Sequence, residues 1–87
     1  MDKIQIYCMP GLGANPKIFE HIFLPKEMFQ LHFLEWKIPL SPDESLEEYA
    51  IRMSQDISHR NPVLMGVSFG GILVQEISKI IPVKKVI

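Results

Sequence analysis

The segment Val63-Leu64-Met65-Gly66-Val67 is apolar without a break, and Ser68-Phe69-Gly70-Gly71 follows it at once. A short run with no polar alternation suits a strand covered on both faces, as in the middle of a parallel sheet. Such a strand needs a strand neighbour on each side and helices above and below. The residues that follow, Phe69–Ile81, carry a helical pattern, and Pro82 stops it. A buried strand running directly into a helix therefore predicts an α/β arrangement with a parallel sheet.

The rest of the chain fits that arrangement. Lys3–Met9 alternates, with Ile4, Ile6 and Cys8 on one face, and reads as strand one. Pro10-Gly11-Leu12-Gly13 breaks it. Pro16–Phe23 reads as a short helix, with Asn15 as cap and Pro16 at the first helical position. Phe29–Trp36 reads as strand two. A longer helix then opens at Ser41 or at Ser45, since each has a glutamate three residues on, Glu44 or Glu48. Leu46, Tyr49, Ala50, Met53 and Ile57 form its apolar face. Glu47, Glu48 and Arg52 form a solvated one. Val83–Ile87 begins a fourth strand.

Four mostly parallel strands in the order 2-1-3-4, with helices on both faces, follow from short right-handed crossovers. The switch point lies between strands one and three, where ligands bind at the carboxyl ends of the strands. The turns at residues 10–13 and 66–70 both leave those ends. The first crossover covers one face and the next two cover the other. That leaves the first face bare over strands three and four and the last strand as an open apolar edge, so aggregation or pairing through that edge is expected.

Composition narrows the functional classes. Nine basic and ten acidic residues give a net charge of -1, so there is no electrostatic footprint for nucleic acid. No apolar run reaches the ~20 residues that span a bilayer, and Met1-Asp2-Lys3 leads straight into a strand rather than a signal segment. The one cysteine, Cys8, excludes an internal disulfide and reads as a buried strand residue in a cytoplasmic protein. The 87 residues are 47% hydrophobic, rich for so short a chain and suited to part of a larger core.

Gly66-x-Ser68-x-Gly70 has the spacing of a nucleophile elbow. A serine presented at the top of a sheet needs a very tight strand-to-helix turn, and its neighbours two before and two after must be small. Gly66 and Gly70 meet that need, and Gly71 adds a further small residue against the sheet. At ordinary glycine and serine frequencies such a match arises by chance in about 3% of chains this long. Its position between a buried strand and a helix makes it more specific. The bland alternative is that Ser68 only caps the helix. An oxyanion hole would need one amide from the residue after the nucleophile, Phe69, and one from the loop after strand one, for which Leu12 between Gly11 and Gly13 is the candidate.

These residues resemble the N-terminal part of an α/β-hydrolase-fold protein. Ile6–Gly13 is similar to the family's strand and oxyanion loop, Ser45–Ala50 to the helix before the elbow strand, and Gly66–Gly71 to its GxSxGG. The resemblance covers essentially all of residues 1–87, read as part of a single domain. It implies a serine esterase-like hydrolase acting on a small-molecule acyl substrate, with no cofactor. It also implies an acid after a later strand and a late histidine. After Ser68 the chain offers only Glu76 and no histidine, since His21, His32 and His59 all precede it. A serine without a base is a poor nucleophile, so residues 1–87 alone are expected to be inactive. The histidines also lack zinc-ligand spacing.

Two other readings compete. One is a non-catalytic hydrolase fragment. The other is a dinucleotide-binding module, from Gly11-x-Gly13 after strand one and Glu35 near the end of strand two. Pro16 stands where that fingerprint wants a third glycine, and the reading leaves Gly66–Gly71 unexplained.

Overall fold

The computed structural model describes residues 3–11, 16–19 and 24–87. Strand β1 (Ile4–Met9) is followed by a 3₁₀ turn (Pro16–Phe19), β2 (Phe29–Phe33), helix α1 (Leu46–Ser54), β3 (Val63–Gly66), helix α2 (Phe69–Ser78) and β4 (Lys85–Val86). The four strands form one sheet in the order β2-β1-β3-β4. All three pairings are parallel. The predicted topology holds, with every strand parallel rather than most.

Alternation along β1 divides the core in two. Tyr7 and Met9 face α1 and α2, packing with Leu34, Tyr49, Ala50, Met53, Leu64, Leu73, Val74 and Ile77. Ile6 and Cys8 face the other way, with Phe19 and Val63. Burial pushes the Cys8 thiol up to about 11, so it stays protonated and inert. On that second face β4 contributes Lys85, which pairs with Val63 and is exposed. Pairing with β3 continues past β4 to Ile87, whose amide donates to the Leu64 carbonyl at 2.7 Å and whose carbonyl accepts the Gly66 amide at 3.2 Å.

The choice between the two helix caps falls to Ser45, whose Oγ accepts the Glu48 amide at 3.0 Å. Ser41 instead makes a turn, accepting the Glu44 amide on its carbonyl at 3.2 Å. That frees Glu44 to take Arg52 at 2.7 and 3.0 Å and the Leu40 amide at 3.0 Å. The Arg52 hydrogen bond holds the Glu44 carboxyl below its usual range.

Strand β2 ends three residues sooner than predicted. The Leu34 amide still donates to the Cys8 carbonyl at 2.9 Å, but the chain then leaves the ladder and sends Trp36 toward the loop after β1. Helix α2 ends at Ser78 rather than Ile81. The following amides of Lys79 and Ile80 bond three residues back in a tightened last turn before Pro82. The predicted helix over 16–23 is a 3₁₀ turn over Pro16–Phe19; Asn15 and residues 20–23 lie outside the described residues.

Candidate functional site

Met9 and Gly66 are partners in the β1–β3 register, so the carboxyl ends of the two central strands lie side by side. The Val67 amide extends the pairing by one bond, donating to the Met9 carbonyl at 3.1 Å. At Ser68 the backbone turns abruptly, with φ 57° and ψ −125°. L side chains avoid this region, at a cost on the order of 1–3 kcal/mol. Helix α2 starts at once, the Gly70 amide donating to Val67 and the Gly71 amide to Ser68, both at 2.9 Å.

The glycine spacing has a direct steric cause. A Cβ at Gly66 would stand 2.4 Å from the Gly70 carbonyl oxygen, and one at Gly70 would stand 2.5 Å from the carbonyl oxygens of Met9 and Pro10. Both obstacles are backbone, so no side chain can swing aside. At Gly71 an added Cβ would meet the Gly66 carbonyl oxygen at an ordinary 3.5 Å. The close approach of helix and sheet therefore rests on Gly66 and Gly70, with Gly71 under no such constraint.

Ser68 occupies the cap position of α2, yet its side chain makes no capping bond and the residue is exposed. The capping alternative is therefore not realised. The Phe69 amide, first of the helix, has no acceptor among the described residues. It is a free donor beside an exposed hydroxyl at a helix N-terminus. The loop after β1 closes on the same point, since a Cβ at Gly11 would lie 3.5 Å from that of Ser68. Leu12 and Gly13 lie outside the described residues.

Trp36 holds this arrangement together, and the strand pattern over 29–36 did not single it out. Its indole N–H is shared between the carbonyls of Pro10, at 3.0 Å, and Gly11, at 3.1 Å. Its ring meets Phe69 edge-on at 5.6 Å and Tyr49 at 5.9 Å. The signal was present: the one tryptophan of the chain stands just past a strand's carboxyl end. Beneath these rings lies a cavity of about 260 Å³ walled by Trp36, Pro39, Leu46, Tyr49 and Phe69. A wider hollow of about 500 Å³ opens on the other side of Trp36, toward His32 and Asp56.

None of the described histidines joins Ser68. His59 precedes β3, whereas Ser68 follows it, and the four residues of β3 rise roughly 13 Å. His59 Nδ1 is hydrogen-bonded to the Tyr7 hydroxyl at 2.7 Å. His32 stacks on Tyr7 at 4.4 Å and hydrogen-bonds Gln5 at 2.6 Å. Burial, and then the nearby His59, lower the His32 pKa below its usual value. His21 lies outside the described residues. Glu76 pairs with Lys79 along α2 at 3.1 Å. Glu35, the acid of the dinucleotide reading, is exposed beyond the end of β2.

Among the described residues no three His, Cys, Asp or Glu side chains gather as a metal site, and no helix is long and apolar enough to cross a membrane. No protein-family model, no curated protein and no solved structure matches the chain.

Proposed function

We propose that Ser68 is the nucleophile of a serine hydrolase of the α/β-hydrolase type, acting on a carboxylic ester or related acyl bond. The observation that carries this reading is the Ser68 backbone. A serine held in a strained conformation, with an exposed hydroxyl that caps nothing, is hard to account for by folding alone. In this reading Ser68 Oγ attacks the carbonyl carbon. The Phe69 amide, with that of Leu12, holds the oxyanion of the tetrahedral intermediate. A histidine and an acid outside residues 69–87 activate the serine and protonate the leaving group. A single buried cysteine fits a reducing compartment such as the cytoplasm.

One observation favours the rival reading, a non-catalytic version of the same turn. Neither His32 nor His59 stands at Ser68: each is hydrogen-bonded elsewhere, to Gln5 and to Tyr7. One experiment separates the two. A fluorophosphonate probe labels the full-length protein at Ser68, and Ser68→Ala abolishes the label. No labelling of the wild type, or labelling that survives the substitution, overturns the hydrolase reading.

A further inference from the structure

The cavity under Trp36 and Phe69 adjoins Ser68 through one residue. Phe69 supplies the free amide next to the serine, and its ring forms part of the cavity wall. We propose that this cavity is the acyl subsite and that it takes a small, uncharged, apolar acyl group. The proposal rests on Ser68 as nucleophile and extends it to substrate class.

Three observations select that chemistry. The first is size: ligand pockets that enclose drug-sized molecules run to roughly 300–1,000 Å³. At about 260 Å³ this one, open on one side, seats a ring or a short branched chain.

The second is charge. Lys37 and Glu44 border the cavity, and both are already paired. Lys37 Nζ turns to Asp56 at 2.9 Å. Glu44 is held by both Arg52 nitrogens and by the Leu40 amide. Ser45, also at the border, is used as the α1 cap. The Tyr49 hydroxyl donates to the Lys37 carbonyl at 2.7 Å. With its polar wall groups satisfied internally, the cavity presents aromatic and aliphatic surface, and a charged acyl group would lose hydration there without gaining a partner.

The third is direction. The carbonyl oxygen belongs to the acyl half of an ester. The amide that would bind it and the ring that would cover the acyl chain are the same residue, Phe69. The leaving alcohol must depart on the side of the general base, which the residues around this cavity do not supply.

Trp36 forms part of the cavity wall, so its fluorescence, isolated as the difference from a matched Trp36→Phe variant, reads the cavity without turnover. Full-length Ser68→Ala protein is titrated with three neutral amides, phenylacetamide, isobutyramide and dodecanamide, and with the charged succinamate. Saturable changes in Trp36 emission are expected with the first two, at concentrations at least tenfold below those needed for dodecanamide or succinamate. Leu46→Phe, which fills the cavity, weakens phenylacetamide at least tenfold. Leu46→Ala, which enlarges it, improves dodecanamide relative to isobutyramide. The Leu46 pair also assigns the response to this side of Trp36 rather than to the hollow beside His32. No saturable response, a preference for succinamate, or indifference to both Leu46 variants overturns the subsite. Labelling of Ser68 with no Trp36 response overturns the subsite alone. A Trp36 response without Ser68 labelling overturns the hydrolase reading, and with it the assignment of the cavity to an acyl group.

Discussion

Strand β3 carries a residue of positive φ at each flank, and the two are not alike. Asn61, before the strand, has φ 48°, and Ser68, after it, has φ 57°. Asparagine is among the residues that tolerate a positive φ. Serine has no such tolerance at ψ −125°. The amino flank is also tied by side chains, through Tyr7, His32 and His59. The carboxyl flank is made of backbone packed on backbone, with glycines where a Cβ would collide. One flank is a turn whose residue suits its conformation. The other holds its shape against the preference of the residue in it, which is the pattern expected of a site rather than of a connection.

The largest effect should come from adding a single carbon at the carboxyl flank. Gly70→Ala sets a Cβ 2.5 Å from two carbonyl oxygens and should destabilise the protein by about 3 kcal/mol or more. Gly71→Ala, one residue on, meets ordinary contact in a helix and should stabilise it by about 0.5 kcal/mol. Urea midpoints of the two variants read the contrast directly. Equal effects would mean that the close approach at Gly70 is not what fixes this turn.

Ser68→Gly should come next. It releases the backbone strain and should raise stability by about 1 kcal/mol while removing the fluorophosphonate label. The matching change at the other flank, Asn61→Gly, should stay within about 0.5 kcal/mol of neutral, because there is little strain to release. A stabilisation by Asn61→Gly as large as that by Ser68→Gly would erase the distinction between the flanks.

The smallest effect separates them by pH. An unfolded histidine titrates near 6.5, and folding lowers the His32 pKa, by burial first and then by the charge of His59. Between those two values the unfolded chain binds a proton that the folded chain does not. Stability is therefore highest above about pH 6.5 and falls as the pH drops toward the folded pKa. Glu44 adds a separate loss lower down. Its carboxyl is held below 4.5 by Arg52, and that contribution goes as the pH falls through the folded value. His32→Gln should flatten the slope between pH 7 and 5 in thermal unfolding and leave the Glu44 loss in place. Ser68→Gly should shift the whole curve without changing its shape.

How far the sequence carried the structure follows the same division. Alternation in Ile4–Cys8, the apolar run from Val63 and the 3.6-residue spacing from Leu46 to Met53 are local patterns, and they led to the strand order and to the faces of the helices. The glycine spacing at 66 and 70 was legible because its cause is local too: two carbonyls and a missing Cβ. Trp36 was not legible as a clamp. Its partners, Pro10 and Gly11, lie 26 and 25 residues away, and β2 pattern alone read it as one more strand residue. The pairing of Tyr7 with His59 spans 52 residues and leaves no periodic trace. Ser45 against Ser41 was open for a different reason. Both carry the same motif, and the tertiary demand of Arg52 on Glu44 decides between them.

The contacts that make the Ser68 turn have a consequence for how the protein can change. Atoms that every residue owns form the obstacle at Gly70, the carbonyls of Met9 and Pro10. A second-site suppressor of Gly70→Ala therefore has no side chain to shorten. Compensation must shift a whole strand against a whole helix, and changes of that kind are rare among single substitutions. In a random suppressor screen, revertants of Gly70→Ala should be almost entirely true revertants. Damage to the Trp36 clamp or the Leu46 wall, both made of side chains, should yield compensating changes at several neighbouring positions.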